Sequence, residues 1–360
     1  MSMRSKTNKL SVLHMVSSLL IGGAERFVLD LCQQQRSDGI KTQIFSFGRK
    51  DDPLVSECDA LNLNVIFNRG HKFFALARIH RILRNVDVIH IHSPHVLKFI
   101  APILPLIGQR KIIYTRHGAA PLENPSWQVL HKYCEKYIHT ITFVSEESQQ
   151  IFSTHHGWHN KRKWVIDNAV LLPEISGAKQ VNPDRLSLGS VGRMIDIKNQ
   201  INLLKALVKL SPEVREKISV HFFGDGPCLE QLKQFKDENL PEANIVFHGV
   251  INQRDQIYST FDVLVVTSET EGLSLAIIEA MASQCAVIAT DVGGNPRLVS
   301  HENTGWLFDY NDSNSLAKII ETCINDRKTV SEYANRSKAM IEENFSLKNC
   351  ANKYKQLYLN

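Results

Sequence analysis

The 360-residue sequence predicts an α/β protein of two doubly wound domains in tandem, facing each other across a ligand cleft. Three observations carry that expectation. Short β-rich runs alternate with longer helix-periodic stretches from end to end. The short runs are continuously apolar, as strands of a parallel sheet covered on both faces must be. Near the middle, "LLPEISGAKQVNPD" (171–184) has no periodicity and carries two prolines, as a linker does.

The first strand is expected at "SVLHMV". The residues around it have a basic start and an apolar middle, as a secretory signal has, but His14 and the Ser17–Ser18 pair interrupt the apolar run and fit a buried strand better. A helix follows in "AERFVLDLCQQQRSDG", where Ala24, Phe27, Val28 and Leu31 recur at i, i+3, i+4, i+7. Further strands are expected at "TQIFSF", "NVIF", "DVIHIH", "KIIYTRH" and "HTITFVS", with a helix in "RGHKFFALARIHRILRN" (69–85) after the third. Beyond the linker the style repeats, with strands at "LSLGSVG", "ISVHFFG", "NIVFHG", "VLVVTS", "AVIAT" and "TGWLF".

Composition narrows the function. No apolar run approaches the ~18–20 residues that crossing a bilayer requires. Seven cysteines are scattered without a C-x-x-C pair, which points to a reducing compartment, the cytoplasm, rather than to disulfides or a zinc site. The net charge of +5 is uneven: residues 1–170 hold 22 Lys and Arg against 13 Asp and Glu, whereas 171–360 hold 20 against 24. A basic half suits phosphates or an anionic membrane surface; no nucleic-acid partner is expected.

Open parallel sheets bind ligands beyond the carboxyl ends of their strands, so the motifs there matter most. "SLLIGGAER" puts Gly22 and Gly23 between the first strand and its helix, where backbone can approach a ligand and a helix start favours phosphate. It is not G-x-G-x-x-G, so a dinucleotide fingerprint is absent. In "GSVGRMIDIKNQ", Arg193 and Lys198 follow a strand end, a fork and a point charge suited to a diphosphate. "HFFGDGPCLEQL" reads as a turn. His90, His92 and His95 in "HIHSPH", and His155, His156 and His159 in "STHHGWH", lack carboxylate partners in sequence, and no metal is expected on them. His117 in "YTRHG" sits at a strand end. In "EGLSLAIIE", Glu271 lies in the loop after a buried strand, Ser274 can cap the following helix, and Glu279 lies a turn and a half into it. Two carboxylates so placed can accept from separate hydroxyl groups of one ligand.

These motifs together resemble the retaining glycosyltransferases of the GT4 family, with two Rossmann-like domains in the GT-B fold. "GGAER", "DVIHIHSPH", "YTRHG", "FVSEES", "VIDNAV", "SVGRMIDIKN", "FFGDGP", "NIVFHG", "SETEGLSLAIIEAMA" and "DVGGNP" occur in family order over nearly the whole chain. The resemblance implies an acceptor-binding domain over 1–170 and a donor-binding domain over 171–344, with a helix at about 345–360 packing back on the first. It implies that Arg193 and Lys198 hold the diphosphate of a nucleotide sugar, with a UDP-sugar as the expected donor. Glu271, with the amides of Gly272, Leu273 and Ser274, would hold the donor sugar and β-phosphate, and Glu279 the ribose. Gly22 and Gly23 would line the phosphates and His117 the sugar. The base would lie near Gly224 and the backbone of Phe247 to Val250. His117, Glu271, Arg193 and Lys198 would be the catalytic set, with no cofactor and no metal: the D-x-D pattern by which sugar-nucleotide enzymes of the other major architecture hold a cation is missing. Asp167 and Ala169 in "VIDNAV", Arg297 in "GGNPR", and "EGLSL" in place of "EGFGL" depart from the family pattern. The acceptor expected is a glycan or lipid-linked saccharide, in synthesis of a surface polysaccharide. An epimerase of the same fold, or a non-catalytic nucleotide-sugar binder, is the alternative; only the transferase consumes an acceptor. On the 69–85 helix, Phe74, Arg78 and Arg81 recur at i, i+4, i+7, with Lys72 and Arg84 nearby, a pattern suited to anionic headgroups at the inner face of the plasma membrane.

Overall fold

The computed structural model describes residues 9–70, 72–118, 124–156, 158, 161–171 and 184–360. The chain divides into two compact units, Met1–Asp167 with Leu347–Asn360, and Asn168–Ser346. Most of the expected linker, 172–183, lies outside the described residues, as do Lys72's side chain, those of His155 and His156, and all of His159.

The first unit is a seven-stranded sheet: β1 (Ser11–Val16), β2 (Lys41–Ser46), β3 (Val65–Phe67), β4 (Val88–Ile91), β5 (Lys111–Arg116), β6 (Thr140–Phe143) and β7 (Arg162–Val165). Their order is β3-β2-β1-β4-β5-β6-β7, every pair parallel. The order reverses between β1 and β4, where His14 pairs in register with His90. Leu13 and Met15 of β1 pack in one apolar cluster with Ile89 and Tyr114, while Val16 packs in another with Val28 and Ile44. Both faces are therefore covered, and the polar residues on the second face, His14, His90, Thr115 and Thr142, are buried too.

Local chemistry turns β4 into its helix. Ser93 accepts from the His95 amide and Pro94 opens the helix Pro94–Ile100, a cap followed by a residue with no N–H to satisfy. His92 is thereby fixed at the strand end. The helix Leu347–Leu359 belongs to this unit, with Tyr354 and Tyr358 buried.

The second unit holds β8 (Leu186–Val191), β9 (Ile218–Phe223), β10 (Asn244–Gly249), β11 (Val263–Val266), β12 (Ala286–Thr290) and β13 (Trp306–Phe308). All pairs are parallel in the order β10-β9-β8-β11-β12-β13. Along β11, Val263 and Val265 enter one core and Leu264 and Val266 the other. The reversal point falls between β8 and β11. Among the described residues no helix is long and apolar enough to cross a membrane.

Twelve strands match the expected runs. β7 is additional: its sequence, "RKWV", alternates between exposed and half-buried positions, so an edge strand replaces the apolar signal with charge.

Candidate functional site

The reversal point of the second unit gathers the predicted donor residues. After β8 the chain makes a 3₁₀ turn, Asp196–Lys198, and leaves it through Asn199 in the left-handed region. After β11 runs the loop to Ser274. Thr267 donates to the Lys198 carbonyl at 2.9 Å, and the Glu269 amide to that of Ile197 at 2.8 Å, stitching the two loops together. Lys198 Nζ donates to Glu271 Oε1 at 2.6 Å, and Ser268 Oγ donates to the same oxygen at 2.8 Å. Side-chain exposures of 28% for Lys198 and 11% for Glu271 leave the pair reachable but largely removed from water. Cation and carboxylate thus sit side by side, one suited to a phosphate and the other to hydroxyl groups.

The loop that carries Glu271 is held from two further sides. Gly294 donates its amide to the Glu271 carbonyl at 3.1 Å. A Cβ at Gly294 would stand 1.8 Å from the Gly272 carbonyl oxygen, so only glycine lets the loop after β12 approach this closely. From the motif "VIDNAV", Asn168 Nδ2 donates to the Leu273 carbonyl at 3.0 Å. Ser274 occupies the cap position of the helix Leu275–Ala282, but its side chain makes no cap hydrogen bond, contrary to the sequence expectation. Buried beside Lys198 and Glu271, it lines the same recess. The amides that open an α-helix lack intrahelical acceptors, so this end can receive an anion.

Glu279 is held differently. Its Oε1 lies 2.8 Å from Arg254 Nε as an ion pair, and Tyr258 donates to Oε2 at 2.7 Å. Burial, then the Glu279 carboxylate, pushes the Tyr258 hydroxyl well above its ordinary pKa, so it remains a donor. Each carboxylate oxygen keeps a second lone pair. Lys198 and Arg193 part company: the Arg193 side chain is exposed, and its carbonyl accepts from Gln200 Nε2 at 3.0 Å and from the Ile195 amide at 3.1 Å.

Gly224, expected near the base, has a structural role as well. At φ +134°, a Cβ there would meet the Gly192 carbonyl oxygen at 2.0 Å. Its amide donates to Gly249 at 2.7 Å, tying the ends of β8, β9 and β10 together. Phe247 stacks on Phe222 with centroids 5.0 Å apart, and Val250 is half exposed.

In the first unit, Gly22 precedes the helix Gly23–Ser37 with φ −163°, extended backbone that any residue adopts. Glu25 in its first turn already places a carboxylate at the helix's positive end. His117 follows β5 and joins a buried chain: His117 Nε2 to His92 Nδ1 at 3.0 Å, His92 Nε2 to His14 Nδ1 at 3.0 Å, and His14 Nε2 to Gln35 Oε1 at 2.9 Å. Nitrogen atoms of His14, His90 and His92 lie within 4.8 Å of one another, a spacing compatible with a metal ion. A cavity of about 610 Å³ also opens in this unit beside Lys111, Arg162 and Trp164. It lies against the amino-terminal starts of β5 and β6 and touches no predicted residue, and ligands of such sheets bind at the opposite edge.

The basic helix spans Lys72–Leu83. Phe74 is 75% exposed, and Arg78, Arg81 and, just beyond the helix, Arg84 are exposed too. Arg78 also reaches the Phe67 carbonyl at 3.3 Å.

Ser268, Arg254, Tyr258 and Asn168 were not singled out from sequence. Arg254 and Tyr258 do share a face at i, i+4, but nothing in the sequence says that it meets Glu279.

Comparison with known proteins bears on the family and the fold. Residues 173–340 match the family "Glycosyl transferases group 1" and residues 21–172 match "Glycosyltransferase Family 4". The chain is 23% identical over 288 residues to N-acetyl-alpha-D-glucosaminyl L-malate synthase of Bacillus anthracis, covering 76% of this chain and 74% of that one. It is 23% identical over 351 residues to the GalNAc-alpha-(1->4)-GalNAc-alpha-(1->3)-diNAcBac-PP-undecaprenol alpha-1,4-N-acetyl-D-galactosaminyltransferase of Campylobacter jejuni, covering 93% and 94%. In fold it is similar to Anabaena HepE, solved with UDP and glucose: TM-score 0.85, 20% identity, 97% of this chain and 99% of that one.

The buried histidines make stability pH-dependent. Burial lowers His14 to about 4, burial and then Arg116 lower His117 to about 3, and burial holds His90 and His92 well below their ordinary value. The unfolded chain therefore binds protons that the folded one refuses. The associated stability is fully present above the unfolded value of about 6.5 and is lost as pH falls toward the folded values. Urea unfolding of the first unit should weaken from pH 7 to pH 5.5, by up to about 1.4 kcal/mol per pH unit for each histidine. A flat profile over that range would contradict neutral burial.

Proposed function

Because the chain belongs to the GT4 family of GT-B glycosyltransferases, we propose that it transfers a sugar, with retention of anomeric configuration, from a UDP-sugar to a glycan or lipid-linked saccharide in surface-polysaccharide synthesis. The observation that carries this reading is the Lys198–Glu271 pair at the reversal point of the second sheet, beside the start of the helix Leu275–Ala282. Breaking the bond from the anomeric carbon to phosphate leaves negative charge on the diphosphate and positive character on the sugar. Lys198, Arg193 and the helix start stabilise the departing charge. Glu271 takes sugar hydroxyls, with the amides of Gly272, Leu273 and Ser274 on the β-phosphate, and Glu279 takes the ribose. Gly22, Gly23 and His117 are assigned to the phosphates and sugar, and the backbone near Gly224 and from Phe247 to Val250 to the base. The acceptor attacks from the face that the phosphate leaves, and the phosphate receives its proton; a glycosyl-enzyme trapped on a side chain would overturn this step. The name of the Campylobacter relative, an enzyme of a PP-undecaprenol-linked glycan, supports a lipid-linked acceptor.

Glu271→Ala should lower turnover about a hundredfold or more with the fold retained, since its contact strengthens as charge develops. Glu279→Ala should instead raise the donor KM, about tenfold, through a lost hydroxyl contact. Steady-state kinetics with each UDP-sugar in turn separates the two, and near-normal activity in both variants would remove the assignment. Product formed from nucleotide sugar alone would favour the epimerase instead.

With Arg193 and Lys198 on the diphosphate, activity should survive EDTA. Loss that Mn²⁺ or Mg²⁺ restores would assign that charge to a cation instead.

The exposed face of Phe74, Arg78, Arg81 and Arg84, with Lys72 adding charge in the sequence, supports peripheral attachment to an anionic membrane, each cation contributing roughly 1 kcal/mol near such a surface. Sedimentation should show binding to anionic but not zwitterionic vesicles, weakened by salt. Arg78→Glu with Arg81→Glu should lower binding and leave UDP-sugar affinity unchanged; equal sedimentation of the double variant and the native chain would clear this face of the role.

A further inference from the structure

The buried histidines of the first unit form one continuous hydrogen-bonded path. It runs from His117 through His92 and His14 to Gln35. Gln35 Nε2 continues it to Tyr358 Oη at 3.1 Å, and Tyr358 meets His90 Nδ1 at 2.8 Å. His90 Nε2 then reaches Thr115 at 2.6 Å, which reaches Thr142 at 2.5 Å. Burial keeps the rings neutral, and a neutral imidazole has one N–H and one lone pair. Each ring therefore passes its polarity to the next.

Gln35 sets the direction. Its amide NH₂ faces Tyr358, so its carbonyl oxygen faces His14 and only accepts. His14 must then carry its proton on Nε2 and accept from His92 at Nδ1. His92 must carry its proton on Nε2 and accept from His117, which leaves His117 protonated on Nε2. The far nitrogen, His117 Nδ1, is buried and has no hydrogen-bond partner among the described residues. The reverse polarity would leave a buried N–H unpaired there, a rarer and costlier arrangement than an unpaired acceptor.

We propose that Gln35, His14 and His92 are positioning residues that hold His117 in the Nε2–H tautomer, so that Nδ1 offers a lone pair to a donated sugar hydroxyl. The same sense carried along the second arm gives Tyr358 as donor to His90 and His90 Nε2–H as donor to Thr115, so the terminal helix closes the path. The proposal deepens the assignment of His117 to the donor sugar and rests on it for the identity of the hydroxyl.

The test is long-range ¹⁵N–¹H correlation on the full chain labelled at histidine, with rings assigned by single substitutions. His14, His92 and His117 should all show protonated Nε2 and bare Nδ1. Gln35→Leu should release the path, giving His117 a mixture of tautomers, while Gln35→Glu, which keeps an acceptor facing His14, should restore the single form. With UDP-glucose as probe, Gln35→Leu should raise KM about tenfold, as loss of one hydrogen bond does, and Gln35→Glu should recover it. Protonated Nδ1 on His117 in the native chain overturns the proposal without any variant. So does stoichiometric Zn²⁺ that perturbs His14 and His92, since a ligated ring cannot pass the polarity on, and so does a Gln35→Leu chain whose His117 tautomer is unchanged. If instead the donor assignment is wrong, no UDP-sugar moves the His117 resonances while the three tautomers remain as derived.

Discussion

A parallel strand can pair again only after the chain has returned to the start of the sheet. That constraint places the end of every strand, and every loop that follows one, on a single edge of each unit. In the second sheet it brings Lys198 from after β8 and Glu271 from after β11 to the one place where successive crossovers leave in opposite directions. Residues 73 apart in sequence meet there because neither loop has anywhere else to go. The stitching by Thr267 and Glu269 then fixes their distance. Fold and site are consequences of the same restriction.

The two units handle buried polarity in contrasting ways. The second pairs opposite charges, Lys198 with Glu271 and Arg254 with Glu279, at positions that water still reaches in part. A partly exposed ion pair exchanges partners at less cost than a fully buried one, which suits groups that must meet a charged ligand. The first unit buries the rings of His14, His90 and His92 and keeps them neutral. In a low-dielectric interior a neutral network that satisfies its members is rigid, and a charged one would be costly. One unit is arranged to exchange charge and the other to hold direction.

How much of this was legible in the sequence follows from the range of each cause. Strand runs such as "VLVVTS" were readable because a strand buried on both faces must be apolar throughout; β7 was not, because at the sheet edge "RKWV" needs no such run. Glu271, Glu279, Arg193 and Lys198 stood out through their spacing and their places at strand ends. Their holders did not. Ser268, Asn168, Arg254 and Tyr258 act across folded distance, and the close approach of Gly224 to the Gly192 carbonyl leaves no mark in the sequence of its turn. The histidines of "HIHSPH" were noticed as metal ligands to be weighed, whereas the partners of His92 proved to be His14 and His117, and those of His90 to be Thr115 and a tyrosine 268 residues beyond it.

The helix Leu347–Leu359 carries a consequence for how the chain is made. Tyr354 and Tyr358 are buried among residues of the first unit, and Gln35 bonds Tyr358 across 323 positions. During synthesis, β1 to β7 emerge early with that part of their interior unfilled, and the whole second unit leaves the ribosome before the missing tyrosines do. Domains generally fold in the order of their synthesis. Here the order of completion is inverted: the later unit can be finished while the earlier one still waits for the helix Leu347–Leu359.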